Sequence, residues 1–336
     1  MFYAVITTIQ EPTSSVRRLV EHLIASNGRL VVAGDSKGPQ CFDGPPGVSW
    51  PVEFLSLGKQ ESGRFRLAEH LPTKHYARKN IAYLQAIKGG ATCIYETDDD
   101  NAPSEGWRPR SEFLNGGRNV ARAEDRWVNV YRYFSREIIW PRGLPLEEIR
   151  SAVAGTVPFV DPRRAPIQQG LVNGSPDVDA IWRLTLDREF NFEEEVSVYL
   201  EPGNWCPFNT QSTWWWPVVY PLLYIPSYCS FRMCDIWKSF VAQRCLWELG
   251  LGVVFHAPEV VQERNPHDLM RDFRDEIPGY EQNREIGRIL KGVKLHAEEP
   301  AVGRNLVRCY EALVMAGVFP ENEMLLVWAW LADLGQ

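Results

Sequence analysis

No apolar run in this sequence of 336 residues is long enough to cross a bilayer. The longest, Trp214 to Ile225, is broken by Pro217 and Pro221 and falls short of the roughly 20 apolar residues that a spanning helix needs. A secretory leader is also missing: Met1-Phe2-Tyr3-Ala4-Val5-Ile6 enters a strand pattern directly, without a basic stretch ahead of an apolar core. These absences predict a cytoplasmic protein with no integral membrane segment. There is no CxxC pair, and the 7 cysteines are scattered and odd in number. Cys206, Cys229, Cys234 and Cys245 have aromatic or apolar neighbours, which predicts buried free thiols rather than zinc ligands. Positive charge is not in excess. With 36 Lys and Arg against 43 Asp and Glu, the formal net charge is -7, which argues against a nucleic-acid partner held by general electrostatics but allows local phosphate pockets. Internal repeats, low-complexity tracts and linkers are absent as well.

What is present is globular in composition, 45% hydrophobic and 24% charged, with 13 tryptophans. Phe2 to Thr8 reads as a buried strand; Thr13-Ser14 cap a helix through Ile24, and Asn27-Gly28 close it. Leu30 to Ala33 is a second strand, ending in Gly34-Asp35, and Val52 to Leu55 a third. Apolar residues at 77, 81, 84 and 87 give Tyr76 to Lys88 a helical period, which Gly89-Gly90 stop before a strand at Ala91 to Tyr95. Such alternation predicts an α/β fold with a Rossmann-type sheet flanked by helices. Farther on, Trp127 to Tyr133 alternates like a strand, Pro141 to Asp161 reads as a helix start and loop, and Asn204 to Pro226 as an extended lining. A helix at Asp235 to Leu249, a strand at Val253 to Phe255 and a polar loop at Gln262 to Gln282 follow. Two tail helices lie between Gly303 and Leu334. The economical division is one catalytic domain, residues 1–285, and a helical C-terminal appendage, residues 286–336.

The chemistry concentrates at Asp98-Asp99-Asp100, directly after the Ala91 to Tyr95 strand. Adjacent carboxylates repel one another, and a hard divalent cation such as Mn²⁺ or Mg²⁺ relieves that repulsion through oxygen ligands. Strand carboxyl ends are also where open α/β sheets bind ligands. An acidic solvated turn is the plain alternative. Thr7, Thr8 and Asp35 end the first two strands and suit a base and ribose, or ordinary turn chemistry. Arg78 and Lys79 open the helix that runs into the aspartate strand, placed for phosphate or for solvent. Asp235 opens a helix, either as its cap or as a pocket carboxylate, with Arg232 three residues earlier placed to pair with it or to hold phosphate. His267 and Arg264 lie in the polar loop as a further metal ligand and a phosphate partner, or as surface residues. Asp177, Asp179, Asn209 and Gln211 offer sugar-reading amides and carboxylates, the last two just ahead of Trp214-Trp215-Trp216. Those tryptophans read as core before they read as a carbohydrate platform.

Taken in order, Arg78-Lys79-Asn80 with the acidic triplet, Gly174-Ser175-Pro176-Asp177-Val178-Asp179, Pro207-Phe208-Asn209-Thr210-Gln211, and Asp235-Ile236-Trp237 resemble the STELLO-type glycosyltransferase-like family over residues 75–285. More distant similarity connects the acidic triplet to reversibly glycosylated polypeptides and the Arg232-to-Asp235 helix start to exostosin-like transferases. The resemblance implies a GT-A fold, a mixed Rossmann-type sheet, with Asp98 and Asp100 as the DxD metal pair, Asp99 between them, and Glu96 as an alternative end. Within the catalytic domain it implies a nucleotide half at about 1–101 and an acceptor half at about 102–285. It implies Mn²⁺ or Mg²⁺ as cofactor, a nucleotide-sugar donor such as a UDP-sugar, and a carbohydrate or other hydroxyl acceptor. Asp235 would then deprotonate the acceptor if configuration inverts, or position it if configuration is retained. A nucleotide-sugar mutase, a non-catalytic nucleotide-binding scaffold and a homo-oligomer all stay open.

Overall fold

The computed structural model describes residues 1–263 and 268–336. Eleven strands build its main sheet: β1 (Phe2–Thr8), β2 (Arg29–Gly34), β3 (Val52–Leu55), β4 (Cys93–Thr97), β5 (Asn101–Pro103), β6 (Gly117–Val120), β7 (Thr156–Phe159), β8 (Ile167–Gly174), β9 (Val198–Leu200), β10 (Ser212–Trp215) and β11 (Val253–Gln262). Their spatial order is β3-β2-β1-β4-β10-β8-β11-β9-β6-β7, with β5 paired to β11. The first four strands are parallel, β10 is antiparallel to both its neighbours, and β8 and β11 are parallel to each other. This is the mixed α/β sheet that the resemblance implies, and the alternation of the first hundred residues accounts for its parallel part.

Helices cover both faces: α1 (Ser14–Ala25), α2 (Lys79–Lys88), α3 (Ala180–Leu186), α4 (Cys234–Glu248), α5 (Leu269–Gly292), α6 (Val302–Met315) and α7 (Asn322–Asp333). β1 shows how alternation divides the core. Ala4 and Ile6 face α1 through Val16, Leu19 and Leu23, while Tyr3 and Val5 join α2 and the C-terminal helices. The three consecutive tryptophans alternate likewise, Trp214 and Trp216 into one core and Trp215 into the other. They are sheet core, and the expected extended lining is in part a central strand. Thr13 caps α1 by accepting from the Val16 amide. No helix among the described residues is long and apolar enough to cross a membrane.

Several elements differ from expectation, among them β7, an edge strand within the stretch Pro141 to Asp161 that reads as a helix start and loop. Ile167–Gly174 forms a central strand, β8, whose polar Gln168, Gln169 and Asn173 conceal its burial. The strand pattern at Trp127 to Tyr133 resolves into a two-residue strand and a 3-10 turn. The expected polar loop becomes α5 from Leu269, capped by Asp268 and continuing through Pro278 to Gly292. Its burial stripe is narrow and includes Asp272, Glu276 and Asn283, so an apolar period gave little sign of it.

Strand direction decides where the site forms. β1, β2, β4, β8 and β11 all end on one edge, at Thr8, Gly34, Thr97, Gly174 and Gln262. β10 begins there, with Ser212 opposite Thr97. The acidic triplet therefore leaves β4 beside the ends of two other strands and the Asn209–Gln211 approach.

Candidate active site

A cavity of about 480 Å³ opens at that edge, and all three aspartates line it. The buried Lys79 ammonium donates to Asp98 Oδ1 at 3.0 Å, to the Thr97 carbonyl at 2.6 Å and to the Tyr76 hydroxyl at 2.7 Å. Tyr76 donates to the same Asp98 oxygen at 2.6 Å and bonds Thr210. With Oδ1 saturated and the side chain 24% exposed, Asp98 has Oδ2 left for the cavity.

Asp99 turns toward the start of α1. Thr8 donates to its carboxylate and Thr13 to its carbonyl, which ties the triplet to the first βα connection. Burial pushes the Asp99 carboxyl above its ordinary value. Asp100 accepts from Gln262 Nε2 at 3.0 Å through Oδ2, while its buried Oδ1 has no donor among the described residues. Burial, with the charge of Asp98 second, raises the Asp100 carboxyl to about 7. Asn101 Oδ1 and Gln211 Oε1 are likewise buried without a donor. Unsatisfied oxygens of this kind cost free energy unless something pairs with them, and an all-oxygen donor set suits a hard cation. Among the described residues no group of three or more His, Cys, Asp or Glu could hold a metal alone. A cation here would depend on one or two carboxylates and on oxygens brought by a diphosphate.

Across the cavity, Arg142 lies between two carboxylates. It donates to Asp177 at 2.8 and 2.7 Å and to Asp235 at 3.0 and 2.8 Å. Burial alone would raise the Asp177 carboxyl, but the Arg142 guanidinium outweighs it and holds the group below its ordinary value. Arg232 pairs with buried Glu276 at 2.8 Å and lies 3.9 Å from Asp177. The Glu276 carboxylate also accepts from the Ala180 amide and the Tyr280 hydroxyl. The result is a dense, hydrogen-bonded charge network forming one wall.

The C-terminal part of that wall matches a family model. Residues 232–336 fit the model described as STELLO glycosyltransferases. The probable glycosyltransferase STELLO2 of Arabidopsis thaliana is 28% identical across 99% of this chain and 44% of its own length. The probable glycosyltransferase STELLO1 of the same plant is 26% identical over the same shares. The chain resembles the STELLO glycosyltransferases. It spans less than half the length of either relative.

Within this STELLO-like site, the structure gathers Thr7, Thr8, Asp35, Asp98, Asp99, Asp100, Asp177, Gln211, Arg232 and Asp235 around one cavity. Other expected residues have different tasks. Arg78 donates to the Pro72, Ala68 and Leu71 carbonyls and to Gln60, so its guanidinium braces the preceding loop and not a phosphate. Asp179 caps α3 and accepts from Trp140 at 2.7 Å, and burial raises its carboxyl to about 6. Asn209 is buried and bonded to Gln169 and the Gln211 amide. Lys79 acts on Asp98 itself, and Asp35 spends both oxygens on the Ser36, Lys74 and His75 amides. Glu96, the alternative motif end, points beneath the sheet to Lys238 at 2.8 Å and Trp215 at 2.7 Å. Asp235 lies inside the first turn of α4 and does not cap it. Arg264 and His267 lie outside the described residues.

Sequence patterns missed Arg142, Lys37 and Lys74. Both lysines line the cavity, exposed, and their ammonium groups have no partner among the described residues. Arg142 sits in an irregular Pro-Arg-Gly stretch with no periodic signal. The structure requires the neighbouring glycine, because Gly143 has a positive φ of 91° and a Cβ there would come within 2.4 Å of Ile236.

Proposed function

We propose that the chain is a metal-dependent glycosyltransferase taking a sugar from a nucleotide-diphosphate sugar, most simply a UDP-sugar, and passing it to a hydroxyl acceptor. The observation carrying this is Asp100 Oδ1, buried and without a donor, beside Asp98 at the carboxyl edge of a Rossmann-type sheet. Asp98 and Asp100 would hold Mn²⁺ or Mg²⁺, whose charge offsets the negative charge developing on a departing diphosphate. Thr7 and Thr8 suit the nucleoside end, and Lys37 and Lys74 are free to meet phosphate. The naming of the STELLO relatives as glycosyltransferases supports the same class.

The acceptor falls to Asp235. Both its oxygens already accept from Arg142, and Oδ1 also accepts from the Ile236 amide. Oδ2 therefore has one position left, which suits it to orient a hydroxyl. Calorimetry with UDP, with and without Mn²⁺, tests the donor half, and absence of Mn²⁺-dependent heat sinks it. UDP release from a panel of UDP-sugars then tests transfer. The same occupied state of Asp235 favours, as a second possibility in chemistry, a nucleotide-sugar mutase or a binding protein without turnover. Binding of UDP-sugar with no release of UDP would select between those and transfer.

A further inference from the structure

The loop between Tyr224 and α4 ends in Phe231 and Arg232, which with Asp235 of α4 line the cavity on the side of the charge network. Phe231 is 53% exposed and Tyr228, three residues earlier, 43% exposed. Of the two, Phe231 lines the polar cavity, so its ring offers a bound molecule an apolar face among charged groups. The Phe231 ring is held rather than loose: it meets Tyr76 at 6.1 Å and 79°, and His75 at 6.3 Å and 77°. Such near-perpendicular contacts fix its tilt. Tyr76 is in turn bonded to Asp98 and Thr210, so the ring is registered to the aspartates.

The same loop is anchored from below. Glu323 of α7, buried, accepts from the Ser227 and Tyr228 amides and from the Tyr224 hydroxyl. Asn80 clamps the Ile225 amide and carbonyl at 2.9 and 2.8 Å. An exposed ring at the end of a braced loop, sharing a cavity with the Asp235 carboxylate and the Arg232 guanidinium, matches the two-sided chemistry of a pyranose. Its C–H face is apolar and its rim carries paired hydroxyls.

We propose that Phe231 is the platform on which an acceptor saccharide ring stacks, with one of its hydroxyls on Asp235 Oδ2. This rests on the transferase reading above and narrows its acceptor from any hydroxyl to a glycan. Saturation-transfer NMR tests it on the full chain with a panel of methyl hexopyranosides and pentopyranosides and their tetrasaccharides, each with and without UDP and Mn²⁺. A panel sugar is expected to receive saturation on ring C–H protons. Phe231→Ala should weaken that binding roughly tenfold, the scale of truncating one aromatic anchor, and Phe231→Trp should restore it. UDP–Mn²⁺ heat should be the same in all three proteins. Absence of sugar binding across the panel, or equal sugar binding by Phe231→Ala, overturns the proposal. Loss of UDP heat in Phe231→Ala with sugar binding intact also overturns it, by making the ring a base platform while the donor site stands. A wild-type chain that binds sugar but not UDP–Mn²⁺ refutes the donor site instead.

Discussion

The Arg142 guanidinium meets the Asp235 carboxylate edge to edge, Nη1 to Oδ1 at 3.0 Å and Nη2 to Oδ2 at 2.8 Å. A buried bidentate pair of this kind is costly to break, because the partner left behind is an uncompensated buried charge. Here two partners would remain, since Asp177 holds the other side. Arg142→Ala is expected to destabilise the chain by about 3–5 kcal/mol, read as a fall in the urea midpoint. Arg142→Lys should recover little, because a point-charge ammonium cannot reproduce two fork-like contacts. A midpoint within error of wild type for Arg142→Ala refutes the keystone role.

Asp235→Asn keeps the side-chain shape and one acceptor oxygen. It should leave UDP–Mn²⁺ heat unchanged and lower transfer, since Asp235 bonds Arg142 and the Ile236 amide and none of the three aspartates proposed to meet the metal and diphosphate. Loss of nucleotide binding in a folded Asp235→Asn protein would show that the two walls are not separable.

Asp98→Ala and Asp100→Ala should each abolish Mn²⁺-dependent UDP binding, but their effects on stability should differ. Removing Asp98 leaves the buried Lys79 ammonium without its carboxylate, so Asp98→Ala should also lower the melting temperature. Removing Asp100 deletes an unpaired buried oxygen, so Asp100→Ala should be neutral or stabilising in metal-free protein. Equal melting temperatures for the two variants contradict this division.

The Asp100 carboxyl titrates near 7 in the folded chain, against an ordinary value of 3.8. The folded state thus holds this proton more tightly than the unfolded state, and its stability falls as pH rises between those values. Asp100→Asn removes the titration. In metal-free protein, the stability advantage of Asp100→Asn over wild type should grow from about pH 4 to about pH 7 and level off above. Denaturant titrations at several pH values would show a constant difference if Asp100 were not the group responsible.

Much of this organisation can be read in the residues, and the reasons for success and failure are physical. β1, α1, β2 and α2 are legible because caps, glycine stops and apolar periods agree at each of them. The triplet is legible because three adjacent carboxylates are a local signal. Arg142, Lys238 and Glu276 are not, because each is defined by a partner 35 or more residues away that no spacing rule connects to it. Arg78 and Glu96 mislead for the complementary reason. Their charges invite a ligand, while tertiary packing has already supplied loop carbonyls to one and a lysine to the other.

The last expectation concerns how α7 reaches the site. Glu323 is buried, and burial raises its carboxyl above the ordinary value although the Tyr224 hydroxyl and the Ser227 and Tyr228 amides all donate to it. Those three donors lie on the loop that carries Phe231, so a side chain of the C-terminal helices sets the position of the acceptor wall. Glu323→Ala leaves the buried Tyr224 hydroxyl and Ser227 amide and the half-buried Tyr228 amide without an acceptor and should cost about 1–3 kcal/mol for each buried group it orphans, partly recovered if water enters. Glu323→Gln keeps one oxygen for them and should be milder. With the nucleotide site anchored on the far strands, both variants should raise the acceptor KM while UDP–Mn²⁺ affinity stays level. Equal losses in both parameters would mean that α7 supports the whole cavity and not this loop alone.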